Sequence, residues 1–200
     1  MNLQEHCAES TLARLGPTLE LCHRALTIGL ATAIALHAER RWDLRADPQM
    51  FTHTVRREAL EVIKAQNPDA RAEDNLGAAM SGLHLTVGDT DVLRVWSGSH
   101  GQVRVPTSEH GREFLQQVPS NALLLPGFEA PDVKACRTIL LWEHQGDALS
   151  QLTLVRPLGL DKGVVAIDWQ DSVLQRFATR MDDIVYRRRA TNPNQESQTS

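Results

Sequence analysis

Cysteine is scarce in this chain, and its spacing excludes as much as its number. Cys7, Cys22 and Cys136 form an odd set with no CxxC pair and no Cys/His ligand spacing. Neither a disulfide framework nor a thiolate metal site is therefore expected, and a reducing cytoplasm is the natural setting. An excess of one charge is also missing. Residues 1–80 hold nine basic and eleven acidic side chains, and the remainder hold twelve and fourteen, for a net charge of -4. That balance provides no basic field and weighs against nucleic acid as a partner. Lysine is confined to Lys64, Lys134 and Lys162, a bias towards arginine that base composition explains as readily as function.

Three further absences narrow the reading. The start "MNLQEHCAES" has neither a basic segment nor an apolar one, so no signal peptide is expected there. The longest uncharged helical run, Ala25 to Ala38, is fourteen residues. It would span about 21 Å as a helix, against roughly 30 Å of hydrocarbon, and reads as a buried helix with no role in a membrane. No glycine-rich phosphate loop occurs: "LGLDKG" at 158–163 fits neither the Walker nor the Rossmann pattern. No cofactor is implied.

What is present is patterned. A hydrophobic fraction of 42% suffices for a core in a chain that should bury roughly 70% of its unfolded surface. Leu19, Cys22, Leu26, Gly29, Ala33 and Leu36 recur by threes and fours, which is helical spacing. Leu21, Ile28, Leu30 and Ile34 lie off that stripe, so the helix must be covered on most sides. The small residues Ala25, Gly29 and Ala33 allow another backbone to approach. The covering partner is the next helix, the sheet or a second copy of the chain, which makes a homodimer through Leu19–Leu36 an expectation. Asp47 and Pro48 open a second helix with Phe51, Val55, Ala59, Val62 and Ile63 inward and Arg56, Arg57, Glu61 and Lys64 outward. Asn67 before Pro68 ends it. A shorter helix is expected around Ala72 to Met80.

From Leu83 the period becomes two. "LHLTV", "DVLRVWS" and "GQVRVP" read as a three-stranded meander. Thr107 or Ser108 should cap a short helix to about Gln117. "NALLLPG" reads as a brief extended segment. "CRTILLWEH", "QLTLVRPL" and "GVVAIDW" follow as strands. A last helix is expected within 171–188 and a disordered tail over 189–200. The expected fold is α+β, with N-terminal helices packed on a mostly antiparallel sheet of five or six strands. Residues 1–70 form the helical segment and 71–188 the sheet part of one compact unit.

Candidate chemistry is thin. Ser108, Glu109 and His110 adjoin at a helix start, where neighbours point around the axis and do not converge, so they read as a cap with solvated polar groups. His84, His100, His110 and His144 lack ligand spacing, and no metal is expected. Cys136 beside Arg137 reads as a buried strand cysteine, and "YRRRA" at 186–190 as a solvated helix end. The face opposite Leu93, Val95, Val103 and Val105 is richer. If "DVLRVWS" and "GQVRVP" form a hairpin, Arg94, Trp96, Gln102 and Arg104 share it, a composition common at interfaces. The plainer alternative is an Arg–Trp stack that only stabilises the hairpin, or coverage by another element.

With no catalytic set evident, the sequence reads as a non-enzymatic interaction or regulatory module that uses the Arg94, Trp96, Gln102 and Arg104 face for a protein partner. Two alternatives remain. One is a small hydrolase-like enzyme whose His84, His144 and Asp168 converge in space. The other is a nucleic-acid-associated protein using the arginine face.

Overall fold

The N-terminal periodicity produces two helices, α1 (Ala8–Glu39) and α2 (Pro48–Gln66). In the computed structural model, described for residues 8–43, 47–66, 71–72, 83–88, 91–98, 101–117 and 136–177, they lie side by side on one face of a sheet. Helix α2 starts as its sequence dictates: the Asp47 carboxylate accepts from the Met50 N–H at 2.9 Å, and Pro48 occupies the first turn, where its missing donor costs nothing. Phe51, Val55, Ala59 and Ile63 are its buried stripe. Helix α1 is buried on more than one stripe, with Leu21 and Leu30 inside as well as Leu19, Cys22, Leu26 and Ala33.

The seam expected to offer surface to a second copy is filled within the chain. Gly29 marks the closest approach. A Cβ on Gly29 would stand 2.4 Å from the Val55 carbonyl oxygen and 3.1 Å from the Ala59 nitrogen. Ile28, 43% exposed, is the large apolar residue of α1 left outside. The uncharged run Ala25–Ala38 is the later part of a helix of 32 residues, which is long and apolar enough to cross a membrane. Half of its most apolar window is buried inside the fold.

The sheet runs in sequence order as β1 (Arg71–Ala72), β2 (Leu83–Val87), β3 (Asp91–Ser97), β4 (Cys136–Gln145), β5 (Ala148–Asp161) and β6 (Val164–Ser172). Every pairing is antiparallel except β3 with β4, which run parallel with Asp91 opposite Cys136 and Ser97 opposite Trp142. This α+β architecture, helices on a mostly antiparallel sheet, is the one its residues imply. The expected hairpin between β3 and "GQVRVP" is not formed. Strand β4 carries "ILLW" buried on both faces, and a strand apolar on both faces belongs between two others. It takes the place beside β3. Residues 101–105 leave the sheet and cross its second face, where Val103 is buried and Val105 exposed.

Two cores result. The larger joins α1 and α2 to Leu85, Leu93, Val95, Leu140, Trp142 and Leu154 of the sheet. Helices and sheet therefore share a core. The smaller lies on the opposite face, where Phe114 and Leu115 of α3 (Glu109–Leu115) meet Val103, Ile139, Leu141 and Val155. Ser108 caps α3 by accepting from the Gly111 N–H at 3.2 Å. Arg137 donates to the Glu113 and Gln116 carbonyls at the other end. Strand β5 turns into β6 across Lys162 and Gly163, both at positive φ (48° and 82°), the backbone of a tight two-residue hairpin.

Of the remaining expectations, 71–72 is strand where a helix was expected to begin, and 73–80 lies outside the described residues. So do "NALLLPG" at 121–127, the 178–188 part of the last helix, and the 189–200 tail. Residues 171–172 still belong to β6, and helix is present at 174–177.

Two outcomes test this packing. Gly29→Ala is expected to destabilise by about 1–3 kcal/mol in denaturant titration, because overpacking against a backbone outweighs the helix propensity of alanine; an unchanged midpoint contradicts the close approach. His23, buried and stacked on Phe177 at 5.6 Å, has its pKa lowered by burial, with Glu20 pulling weakly the other way. Its folded pKa lies below its unfolded value, so its contribution is complete above the ordinary imidazole range and is lost as pH falls through it. The melting temperature should therefore fall between about pH 7 and pH 5.5, and His23→Phe should flatten that fall.

Candidate functional site

The two ends of the parallel β3–β4 pair hold different chemistry. At the start of both strands, Asp91 is 2% exposed and receives Arg14 of α1 in a bidentate pair, Nε to Oδ2 and Nη2 to Oδ1, each 3.0 Å. Arg156 of β5 pairs with Asp168 of β6, and its charge acts on the Cys136 thiol. Burial raises the Cys136 pKa, so the thiol is held protonated and unreactive. Arg137, its sequence neighbour, is committed to capping α3. Arg14 and Arg156 at this end each have a carboxylate.

The other end is cationic. Arg94 and Trp96 both point to the α3 face, as strand alternation requires. Arg94 is not on an open surface: it is 7% exposed. Its guanidinium lies 4.8 Å from the centre of the Trp96 ring and 5.3 Å from that of Phe114. Its Nε and Nη1 are buried without a hydrogen-bond partner. Arg56, expected on the outer side of α2, is half-buried, with an unpartnered Nε, and reaches past the end of β3. The Arg94 pKa is brought down to about 10, by burial first and by the Arg56 charge second. It stays cationic at neutral pH.

Arg104 completes the cluster from the segment that crosses the second face. With Arg56, Trp96, Ser97, Val105 and Pro106 it lines an open depression of about 170 Å³. Arg56, Ser97 and Arg104 also line a second cavity of about 430 Å³, which extends to Thr52 of α2 and to Glu143 and His144 of β4. The Glu143 carboxylate accepts from the Gly101 N–H at 2.6 Å, holding the chain that leaves β3 against β4. Arg104 belongs as well to a third depression of about 870 Å³, between Gln102–Val105 and the β5–β6 hairpin, with Val164, Ile167 and Gln170 on its far wall.

Of the four residues predicted for the binding face, Arg94 and Trp96 stack, Trp96 and Arg104 share the small cavity, and Gln102 lies apart in the third depression. The arrangement is a cleft under a covered arginine, not a flat hairpin surface. Arg56 was missed. Its neighbour Val55 is buried, and a residue flanking the apolar stripe reads as solvated unless the sheet end beside it is known.

The imagined His84, His144 and Asp168 set does not assemble. His84 rests on Phe114 at 5.9 Å, His144 on Phe51 at 5.1 Å, and Asp168 pairs with Arg156. Ser108 is occupied as the cap of α3. Among the described residues no three His, Cys, Asp or Glu side chains gather as metal ligands do. Comparison with protein families, characterised proteins and solved structures returns no match for this chain.

Energetics distinguish the two ends. Removing a guanidinium from water costs several kcal/mol. At the Asp91 end a bidentate carboxylate offsets that cost. At the Arg94 end only stacking does, worth up to about 2 kcal/mol per ring. Asp91→Asn is expected to destabilise by about 2 kcal/mol, less than for a fully buried pair because Arg14 is 35% open to water. Chemical denaturation measures it, and a change within error contradicts the structural role of the pair.

Proposed function

We propose that this chain is a cytoplasmic, non-enzymatic binding module that takes an acidic, partly apolar segment of a protein partner. The observation that carries the reading is the position of Arg104, which lines all three depressions at this end of the molecule. They form a run from the Arg56 cavity to the β5–β6 hairpin. Arginine offers carboxylate or phosphate a planar fork, and Trp96 adds apolar area.

A protein partner, as opposed to a small molecule, is supported by the apolar surface at the far end. Val164 is 63% exposed, with Ile167, Leu158 and Leu160 also open, and β6 is the last strand in the described sheet order. The acidic balance of the whole chain favours protein over nucleic acid. The cleft holds no described pairing of nucleophile and base, which favours binding over hydrolysis. The burial of α1 in the core supports a soluble setting, as does the absence of any cysteine pattern for disulfides.

Selection of peptides from a random displayed library against the full chain tests this. The expected winners carry an acidic residue beside apolar ones. Arg104→Glu and Ile167→Asp should each weaken them about tenfold or more while leaving the melting curve in place. Peptides without acidic residues, or affinities indifferent to both changes, contradict the reading.

A further inference from the structure

A buried arginine normally comes with a carboxylate, as Arg156 does here in Asp168, although its Nε too is unpartnered. Among the described residues Arg94 has none. Two aromatic rings hold its guanidinium, its Nε and Nη1 are unpartnered, and it is 7% exposed. Arg56 stands near enough to repel it and has an unpartnered Nε of its own. Arg104 is the third cation. Among the described residues no Asp or Glu lines the small cavity, and Glu143, in the neighbouring one, accepts from the Gly101 N–H.

We propose that the cavity between α2, the end of β3 and residues 104–106 binds the dianionic phosphoryl group of a phosphate monoester. Arg56 and Arg104 contact its oxygens, and Arg94, behind Trp96, supplies the third charge. Two guanidiniums from separate elements, with the Arg94 charge behind Trp96, suit a group with oxygens on several sides and two negative charges, whereas one carboxylate would satisfy a single fork. The space, about 170 Å³, accepts a group of a few atoms and leaves the rest of the ligand in the adjoining depressions. This deepens the binding reading above and rests on it only for the statement that the phosphoryl group belongs to a protein.

Inorganic phosphate, glycerol phosphate and a phosphoserine peptide with its unphosphorylated twin are titrated calorimetrically into the full chain, with melting curves in parallel. The wild type should bind phosphate saturably. Arg56→Gln should weaken it roughly tenfold or more, as loss of a charge-assisted contact does, and Arg94→Met, which removes a nearby charge and no contact, should weaken it by less. Arg56 is half-buried on a helix, so Arg56→Gln keeps the test valid if Arg94→Met fails to fold. No saturable binding by the wild type, or equal binding by Arg56→Gln, overturns the proposal; equal shifts in all variants would reflect exclusion of phosphate from the surface. A phosphopeptide that outbinds glycerol phosphate supports the proposal with a protein source. Equal binding of the two supports the phosphoryl site and overturns the protein-partner reading. Binding of both peptides alike, independent of Arg56, does the reverse.

Discussion

Strands β3 and β4 run parallel, and the rest of the site depends on that pairing. Two parallel neighbours cannot be joined by a tight turn, so the chain leaving Ser97 must travel back along the molecule before Cys136. On the way it lays residues 101–105 and α3 across the second face, buries Val103, Phe114 and Leu115, and closes over Arg94. The same pairing sets Ser97, the carboxyl end of β3, beside Trp142, three residues before β4 ends at Gln145. Crevices at the carboxyl ends of parallel strands are where open sheets most often bind ligands. A simple β3 hairpin would have left Arg94 and Trp96 on an open surface, with no cavity beneath Arg104.

The contrast between the two ends bears on how the arginine cluster should be read. The fold can pair a buried guanidinium, since it does so at Arg156–Asp168, and a buried carboxylate, as at Arg14–Asp91. Among the described residues Arg94 has no such partner. Stacking between Trp96 and Phe114 keeps the guanidinium flat and in place, which is preorganisation of the kind that lowers the entropy cost of holding an anion. It also explains why Arg94 can be both a core residue and a source of potential in the cleft.

Much of the architecture was legible in the residues. Asp47 before Pro48 and Ser108 before the α3 run marked helix starts, and the Gly29 stripe marked a close contact. The apolar runs "CRTILLWEH", "QLTLVRPL" and "GVVAIDW" marked β4, β5 and β6. These are local signals, carried by side chains within a few positions of one another. The parallel pairing was not legible, because alternation in "GQVRVP" fits a hairpin strand and a segment half-buried on a sheet face equally well. Nor was Arg56, whose surroundings come from the ends of distant strands. The predicted binding residues were thus gathered by a β-hairpin that did not form. Arg94 and Trp96 share a face by strand alternation, whereas Arg104 reaches them by crossing over.

The central claim is that this end of the parallel pair holds an oxyanion between arginines that have no carboxylate of their own. A crystal structure of the full chain grown with tungstate, an oxyanion of phosphate-like charge whose metal scatters anomalously, tests it most directly. The account predicts an anomalous peak within hydrogen-bonding reach of Arg56 and Arg104 and close to Arg94. A map with no peak there, or with a carboxylate of the chain itself bound to Arg94, would contradict it.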